Sequence, residues 1–348
     1  MLQYFKLKLV TLETLMTEKS IILIDAYAQI YRGYYAIRAL TNSKQQPTNA
    51  VFAMAKFFLK MYHEEQAMYG AVVFDVGKPA FRLALAPEYK AGRPPMPEDL
   101  RVQVPHIKLL AEAFGWPLLS KEGYEADDLI AAIAKDFESY PVRFVSADKD
   151  LAQIISDRVK MLIPDRKNSG LEVRGPEEVI IRFDVLPGQI VDLLSLIGDN
   201  SDNIPGVAGV GPKTAAALIK RFGSINAMLA DIESVENEKL REKIRNSAEL
   251  LRKNIELITL KTEIPDKPWN AIETLSMKTP DWSRIAEICR ELELRSILKE
   301  LPGGEPESTP APLEDDLFSA VPAAAPEKPD NQSAAKSEKY APDLFGDL

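Results

Sequence analysis

Short apolar runs alternate with longer segments of helical pattern between residues 20 and 160. The runs are rich in Ile, Val, Leu and Phe and have the length of buried strands, while the segments between them are long enough for helices. Strands that alternate with helices predict an α/β fold whose mostly parallel sheet is flanked by helices. The predicted strands are 21–24, 71–74, 142–146 and 159–163, and the predicted helices are about 49–66, 98–114 and 126–137.

The pattern changes near residue 176, and residues 176–300 read as helical throughout. Pro176 occupies a first-turn position, and the acidic residues after it suit a helix start. An apolar helix then ends at Gly198, and a glycine-rich turn leads into a helix near Lys213. We therefore predict an α/β core over 19–175 followed by an all-helical subdomain over 176–302.

The two ends of the chain have a different composition from the body. Lys6 and Lys8 interrupt the first apolar stretch, so we predict a disordered extension over 1–18 rather than a signal peptide, with Met16 as an alternative start. From Gly303 onward Pro, Ala, Ser and acidic residues dominate, which predicts a disordered acidic tail over 303–348.

Composition narrows the possible chemistry. The single cysteine, Cys289, excludes a disulfide framework and a cysteine-ligated zinc site, and it indicates a reducing compartment such as the cytosol. The two histidines, His63 and His106, lie in polar surroundings, which argues against zinc hydrolases and Ser-His-Asp enzymes. No apolar run is long enough to span a membrane. The net charge of −9 is concentrated in the tail and in acidic clusters, so the body can still present a basic face to nucleic acid.

Carboxylates cluster after the predicted strands and in two loops. The carboxyl ends of parallel strands meet at one edge of an α/β sheet, where ligands bind. Carboxylates that share a pocket need cations, and oxygen ligands select hard ions such as Mg²⁺ or Mn²⁺. The sequence thus predicts a metal site with the candidate ligands Asp25, Asp75, Glu125, Asp127, Asp128, Asp148, Asp150, Asp199 and Asp202.

Each carboxylate taken alone has a structural explanation. An acid in the first turn of a helix interacts favourably with the helix dipole, and Asp148 alone could cap a helix. Three acids within four residues, Glu125, Asp127 and Asp128, exceed that need, and Asp150, two residues after Asp148, favours a ligand pair. The prediction of a metal site depends on their recurrence at one sheet edge.

Two further segments indicate a phosphate-containing ligand. Residues 79–97 form a long basic connection that predicts a functional loop over the strand ends. In the glycine turn, the amides of Gly209 and Gly211 are predicted to point toward an anion, with Lys213 and Thr214 at the start of the next helix. Such a turn binds a backbone phosphate without reading bases. A plain αα-corner with structural glycines is the alternative.

Six motifs occur in a fixed order: LIDAYAQIYRGYYA, AVVFD, EYKAGRPPMPEDL, GYEADDLIAA, SADKDLAQ and LIGDNSDNIPGVAGVGPKTA. Through them the chain, over roughly residues 20–300, closely resembles the 5′-nuclease domain of the bacterial DNA polymerase I family, which is related to flap endonucleases. The resemblance implies a PIN-like core, a helical arch at about 79–97 and a helix–three-turn–helix at about 190–222. No polymerase domain follows, so we expect a free-standing nuclease or a fragment.

The resemblance implies a role for each candidate residue. Two Mg²⁺ or Mn²⁺ ions are expected, one held by Asp75, Glu125, Asp127 and Asp128 with Asp25 nearby, the other by Asp148, Asp150, Asp199 and Asp202. Lys90 and Arg93 match arch cations that steady the scissile phosphate. The expected DNA contacts are Arg32, Lys78, Arg82, Tyr89, Gly206, Gly209, Gly211, Lys213 and Thr214. The family also holds K⁺ on backbone carbonyls of the helix–three-turn–helix.

The expected activity is that of a structure-specific 5′-3′ exonuclease or 5′-flap endonuclease. It would use a two-metal mechanism, act as a monomer in a bacterial-type cytosol and remove RNA primers or 5′ flaps from branched or RNA-primed DNA. A DNA-binding paralogue with little activity and an Asp-x-Asp phosphatase are the alternatives. Asp-Leu-Phe recurs in 314–320 and 341–348, which suggests docking on a sliding clamp.

Overall fold

One six-stranded sheet forms the centre of the molecule in the computed structural model, which describes residues 20–37, 39–65, 67–164 and 171–303. The strand order is β3-β2-β1-β4-β5-β6. The four predicted strands are confirmed, each within two residues at either end. The strands are β1 (Ile21–Asp25), β2 (Tyr69–Val73), β3 (Leu118–Leu119), β4 (Val142–Val145), β5 (Val159–Pro164) and β6 (Leu171–Arg174).

Neighbouring strands are parallel except at one edge. β1 pairs in parallel with β2 and with β4, β3 extends the sheet beyond β2, and β5 extends it beyond β4. Within this six-stranded sheet only β6, which follows β5 closely in the chain, runs antiparallel to its neighbour. Parallel neighbours need crossover connections, usually helical. The helices of this part are α1 (Ala26–Ala36), α2 (Asn49–Glu64), α3 (Ala80–Leu85), α4 (Glu98–Arg101), α5 (Val104–Ala113) and α6 (Ala126–Asp136).

The sheet separates two apolar cores. Ile21 and Leu23 of β1 point into one core, which includes α6 and continues into the C-terminal helices. Ile22 and Ile24 point into the other, which includes residues of α1, α2 and α5. Successive side chains of a strand face opposite sides, so a strand covered on both faces must be apolar at every position. This explains why the run that precedes Asp25 is uninterrupted.

The C-terminal helices do not form a separate core. Ile285, Ile288 and Cys289 pack in the second core beneath the sheet, where Cys289 is fully buried. None of the described helices has the length and apolar character needed to cross a membrane. The helices are α7 (Pro176–Phe183), α8 (Ile190–Ile197), α9 (Pro212–Phe222), α10 (Ile225–Ala230), α11 (Glu238–Asn246), α12 (Ala248–Ile258), α13 (Trp282–Glu291) and α14 (Arg295–Glu300).

A small hairpin and a glycine turn join α8 to α9. β7 (Gly198–Asp199) pairs antiparallel with β8 (Ile204–Pro205), and Gly206 follows directly. A Cβ placed on Gly206 would lie 2.3 Å from the carbonyl carbon of Ile197. The turn therefore requires glycine at this position because two backbone segments touch there.

We expect Gly206→Ala to lower the free energy of unfolding by about 1–3 kcal/mol, since the added methyl must push backbone apart. Gly211→Ala is the matched control: a Cβ there meets nothing within 4 Å. The control should cost less than about 1 kcal/mol, the scale of a helix-cap effect. Urea denaturation of both variants measures the difference, and equal losses would contradict the close-contact explanation.

The predicted extension over 1–18 and the predicted tail from residue 304 onward lie outside the described residues. The division of the body at residue 175 stays a prediction. The first core continues from the sheet into the C-terminal helices, so packing alone draws no sharp boundary at that point.

Candidate active site

A cleft of about 460 Å³ opens at the carboxyl ends of β1, β2 and β4. Asp25, Asp75, Asp127 and Asp148 all line it. They come from positions more than 120 residues apart, and the parallel sheet brings them together because three strands end at the same edge. The predicted convergence of carboxylates is therefore observed.

Three further carboxylates form a tighter group beside this cleft. Oxygen atoms of Asp150, Asp199 and Asp202 lie within 4.8 Å of one another, and all three residues are buried. Asp150 follows β4, whereas Asp199 and Asp202 lie in the β7–β8 hairpin. Ser201 fixes Asp199 by donating from its amide at 2.9 Å and from its hydroxyl at 2.6 Å. We refer to these three residues as the carboxylate trio.

The carboxylates at the strand ends are held by local hydrogen bonds. Asp25 accepts from the Ala28 amide at 3.1 Å and so caps α1, and it also accepts from the Ser146 hydroxyl at 2.8 Å. Asp75 accepts from the Ala126 amide at 2.7 Å. Asp25 thus has a structural role as a helix cap and also lines the cleft.

Lys90 and Arg93, which the resemblance assigns to the scissile phosphate, both reach the carboxylates. Both side chains line the cleft. Lys90 Nζ forms ion pairs with Glu125 and, at 3.5 Å, with Asp202 Oδ2, while Arg93 contacts Asp202 Oδ1. The arch segment therefore supplies two cations at the centre of an acidic site.

Sequence reasoning missed two other cations of the cleft, Lys149 and Arg182. Lys149 Nζ lies 2.9 Å from Asp199 Oδ1. Its position between Asp148 and Asp150 was the available signal, because a lysine inside a carboxylate motif can neutralise its neighbours. Arg182 comes from α7, and nothing in its local sequence indicates the cleft.

Burial dominates the electrostatics of the site. It raises the pKa of Asp25 to about 7, and the charge on Asp75 adds to the shift. Burial, followed by repulsion from neighbouring carboxylates, also raises the pKa values of Asp127, Asp148 and Asp150. For Asp202, burial again opposes ionisation, but Lys90 and Arg93 outweigh it and lower the pKa. The cleft is short of positive charge.

Asp128 has a different environment from the one predicted. Both of its oxygens accept from Arg82, at 2.6 and 2.8 Å, and also from the backbone amides of Glu125 and Lys261. The side chain is fully buried. An α6 residue with both oxygens satisfied in this way has a structural role, and we do not retain it as a metal ligand.

Arg82, predicted to contact a DNA phosphate, is also buried away from solvent. Its side chain is 2% exposed and donates to Asp128 and to the Leu257 carbonyl. The first part of the predicted loop is the packed helix α3, not an open connection. Charged residues usually lie at the surface, so the sequence could not reveal that this arginine is buried against an equally buried partner.

Tyr89 is also buried, at 6% exposure, which corrects its predicted role as a DNA-facing aromatic. Its hydroxyl lies 3.0 Å from Glu125 Oε2 and 2.9 Å from Asp202 Oδ2. The ring is therefore unavailable for stacking on a base, and the hydroxyl links two candidate metal ligands.

Of the other predicted DNA contacts, Arg32 lines the cleft, whereas Lys78, Gly206, Gly209, Gly211, Lys213 and Thr214 are not among its lining residues. Lys78 is exposed close to Asp75 in the chain. Gly209 and Gly211 are exposed before α9, and Gly209 has a φ of 82°, which favours glycine. Lys213 is exposed and Thr214 partly so, both in the first turn of that helix. Their roles remain predictions.

The donor set fits hard divalent ions. Among the described residues the trio and the cleft offer carboxylate oxygens and no histidine or cysteine. Asp150 Oδ1 is buried and has no hydrogen-bond partner, although Lys149 is nearby. A buried oxygen without a donor indicates a place for a cation.

We expect divalent ions to stabilise the fold far more at neutral than at acid pH. The raised pKa of Asp25 means that protonation stabilises the folded state fully below pH 3.8, and this contribution is lost as pH rises through about 7. Bound ions replace the lost protons. Mg²⁺ should raise the melting temperature by at least about 3 °C near pH 8 and by less than about 1 °C near pH 5. Equal shifts at both pH values would contradict this.

Comparison with known proteins gives a consistent match. The N-terminal resolvase-like domain of the 5′-3′ exonuclease family matches residues 20–184, and the C-terminal SAM fold of that family matches residues 185–283. The 5′-3′ exonuclease of Aquifex aeolicus is 37% identical over 286 residues, which make up 81% of this chain and 95% of that protein. The thermostable DNA polymerase I of Thermus thermophilus is 38% identical over 297 residues, 85% of this chain but 34% of that protein. The chain thus spans about a third of the length of this polymerase relative.

Solved structures show the same fold. A T5 5′-exonuclease with bound zinc ions aligns with a TM-score of 0.58 at 23% identity, covering 79% of this chain and 98% of that one. The bacteriophage T5 D15 flap endonuclease in a complex with DNA and metal ions aligns with a TM-score of 0.58 at 22% identity, covering 81% and 97%. The Rad2 catalytic core bound to DNA aligns with a TM-score of 0.56 at 17% identity, covering 82% and 93%.

Proposed function

Because this chain belongs to the 5′-3′ exonuclease family, we propose that it hydrolyses phosphodiester bonds of DNA near a free 5′ end. The proposed task is the removal of RNA primers or 5′ flaps during replication and repair. One observation carries the proposal: carboxylates from three strand ends and a distant hairpin meet at one cleft, and Lys90 and Arg93 reach into it. A site for a small phosphate ester would not need a basic segment of this length.

We propose that two groups of residues hold divalent ions and that these ions are Mg²⁺ or Mn²⁺. Asp75, Glu125 and Asp127, with Asp25 nearby, form one group, and Asp148 with the trio forms the other. When bound, two ions would supply water activation and stabilise charge on the leaving oxygen. The T5 relative with bound zinc is consistent with this class of cofactor.

The chain's own residues would orient the substrate. Lys90 and Arg93 would neutralise charge that develops on the phosphoryl oxygens. The low exposure of Asp25, Glu125 and the trio limits the access of bulk water to them, which strengthens these interactions. Arg32, in the cleft wall, and Lys78, which is exposed three residues after Asp75, would bind the flanking phosphates.

The turn before α9 is proposed to hold the duplex away from the cleft. Exposed amides at Gly209 and Gly211 with Lys213 and Thr214 form an anion-binding helix start that carries no base specificity. Gly206 allows the turn to pack closely on α8.

We also propose that a K⁺ ion binds to backbone carbonyls of this turn. The affinity for DNA, measured in K⁺ and in Li⁺ buffers, tests this: equal affinities would exclude the ion.

The test of the proposed function compares three substrates in Mg²⁺. We expect cleavage of a labelled 5′-flap duplex, weaker or no cleavage when the 5′ end is closed into a loop, and no hydrolysis of a small phosphate ester. Hydrolysis of the ester alone would favour the phosphatase alternative. Tight flap binding without any cleavage would favour the paralogue with little activity.

The remaining expectations stand on sequence alone. Docking of the Asp-Leu-Phe segments at 314–320 and 341–348 on a sliding clamp concerns residues outside the described ranges. Equal clamp capture by the full chain and by residues 1–302 would exclude it. A monomeric state and a cytosolic, nucleoid-associated location complete the proposal. A stable oligomer in sedimentation velocity would contradict the monomeric state. A membrane-bound fraction after cell fractionation would contradict the cytosolic location.

A further inference from the structure

The cations of the arch segment occupy the same oxygen atoms that a divalent ion would need. Lys90 Nζ contacts Glu125 Oε1 and lies 3.5 Å from Asp202 Oδ2. Arg93 contacts Asp202 Oδ1. The Tyr89 hydroxyl lies against the remaining oxygen of Glu125 and again against Asp202 Oδ2. One short segment therefore contacts all four carboxylate oxygens of Glu125 and Asp202, and the single hydroxyl proton of Tyr89 serves one of its two acceptors at a time.

The same segment is anchored to the β7–β8 hairpin through its backbone. The Lys90 amide donates to the Asp202 carbonyl at 3.0 Å, and Arg93 Nε donates to the Ser201 carbonyl at 3.3 Å. Asn203 on the hairpin donates back to the Glu88 carbonyl at 2.8 Å. These contacts place the two cations over the carboxylates with little freedom to move aside while the carboxylates hold them.

An ammonium group and a divalent ion compete for these oxygens. A carboxylate oxygen that accepts from Lys90 at close range has lost a lone pair that a metal would use, and two cations a few ångströms apart repel strongly in a buried site. The Lys90 side chain is 18% exposed, so solvent provides little screening. Lys90 therefore opposes ion coordination by Glu125, and Lys90 together with Arg93 opposes ion coordination by Asp202.

We propose, building on the proposed nuclease function, that Lys90 and Arg93 compete with divalent ions for Glu125 and Asp202, and that a DNA phosphate relieves this competition. A phosphodiester in the cleft offers the displaced cations new partners. Substrate and ion then favour each other's binding, because coupling between two ligands of one protein is reciprocal. The site would load ions fully only when a DNA strand is engaged.

The decisive measurement is the affinity for Ca²⁺ in the absence of DNA, by isothermal titration calorimetry. Lys90→Met should bind Ca²⁺ at least about tenfold more tightly than the parent chain, since one competing charge is gone. Arg93→Met should change in the same direction. Lys90→Arg, which keeps the charge, should stay within about threefold of the parent. Unchanged or weaker binding by Lys90→Met and Arg93→Met would overturn the proposal.

Lys253→Met provides the matched control, because Lys253 pairs with Glu88 at the surface of the same region. Its Ca²⁺ affinity should equal that of the parent chain. Thermal unfolding of each variant establishes whether it is folded. Arg93→Met is the variant least expected to lose stability, because the Arg93 side chain is 37% exposed. A tightening in the Lys253→Met control as large as that in Lys90→Met would show a general charge effect and overturn the proposal.

A second titration includes a 5′-flap duplex, with the integrity of the DNA checked afterwards. DNA should tighten Ca²⁺ binding to the parent chain, and the gain should be several-fold smaller in Lys90→Met, which starts from the tighter affinity. An equal gain in both would overturn the coupling. Because the first titration uses no substrate, its result is independent of cleavage. Loss of flap cleavage by the parent chain would instead contradict the proposed function.

Discussion

Replacement of Asp148 by alanine is expected to lower the rate of flap cleavage at least about 10³-fold while DNA binding remains measurable. Asp148 lines the cleft and accepts from the Asp150 amide at 2.9 Å, so its loss removes one oxygen pair and frees a second carboxylate to move. Single-turnover cleavage of the labelled flap duplex at saturating enzyme measures the effect on chemistry without the effect on affinity.

The same substitution should leave the fold intact or slightly more stable. Burial and the charge on Asp202 raise the pKa of Asp148, which shows that its ionised form is disfavoured in the folded protein. Asp157→Ala is the control, because Asp157 is an exposed aspartate in the same segment. Cleavage by the control should be unchanged. An active Asp148→Ala variant would contradict the assignment of this residue to the site.

Arg82→Leu is expected to lower the free energy of unfolding by about 3–5 kcal/mol, the cost of leaving a buried charge without its partner. The substitution strands Asp128, which is fully buried, and removes the donor to the Leu257 carbonyl. Urea denaturation monitored by circular dichroism measures the loss. A change below about 1 kcal/mol would show that solvent or another donor reaches Asp128.

Two further variants distinguish the effect of losing the Arg82–Asp128 ion pair from the effect of losing side-chain packing. The double substitution Arg82→Leu/Asp128→Leu should recover part of the loss, because it removes both charges at once. Arg284→Leu removes a cation of similar size from an exposed pair with Glu287 and should change stability by less than about 0.5 kcal/mol. If the double variant is no more stable than Arg82→Leu, packing rather than charge explains the effect.

The sequence predicted the sheet and the meeting of carboxylates because those features depend on local patterns. A strand buried on both faces has an unbroken apolar run, and β1 ends where that run meets Asp25. β3 was not predicted, since Leu118–Leu119 is too short to show a period. β6 was also missed, because only Leu171 and Val173 of its four residues are apolar.

The errors within the site share one physical cause, which is pairing between distant parts of the chain. Arg82 and Asp128 each read as a surface or ligand residue, because an isolated buried charge is too costly to expect. Together they satisfy each other, and the sequence gives no indication of that partnership. Tyr89 was assigned to DNA through the resemblance of its segment to a helical arch, whereas its hydroxyl is held by Glu125 and Asp202.

The carboxylate trio joins the two regions that the family models match separately. Asp150 belongs to the first region, and Asp199 and Asp202 to the second. Neither region can assemble the group alone, so a half-folded chain would hold no strong divalent-ion site of this kind. Ion binding at the trio would therefore depend on correct packing of the two regions against each other. Only a molecule in which both regions are folded and packed could bind these ions and cleave DNA.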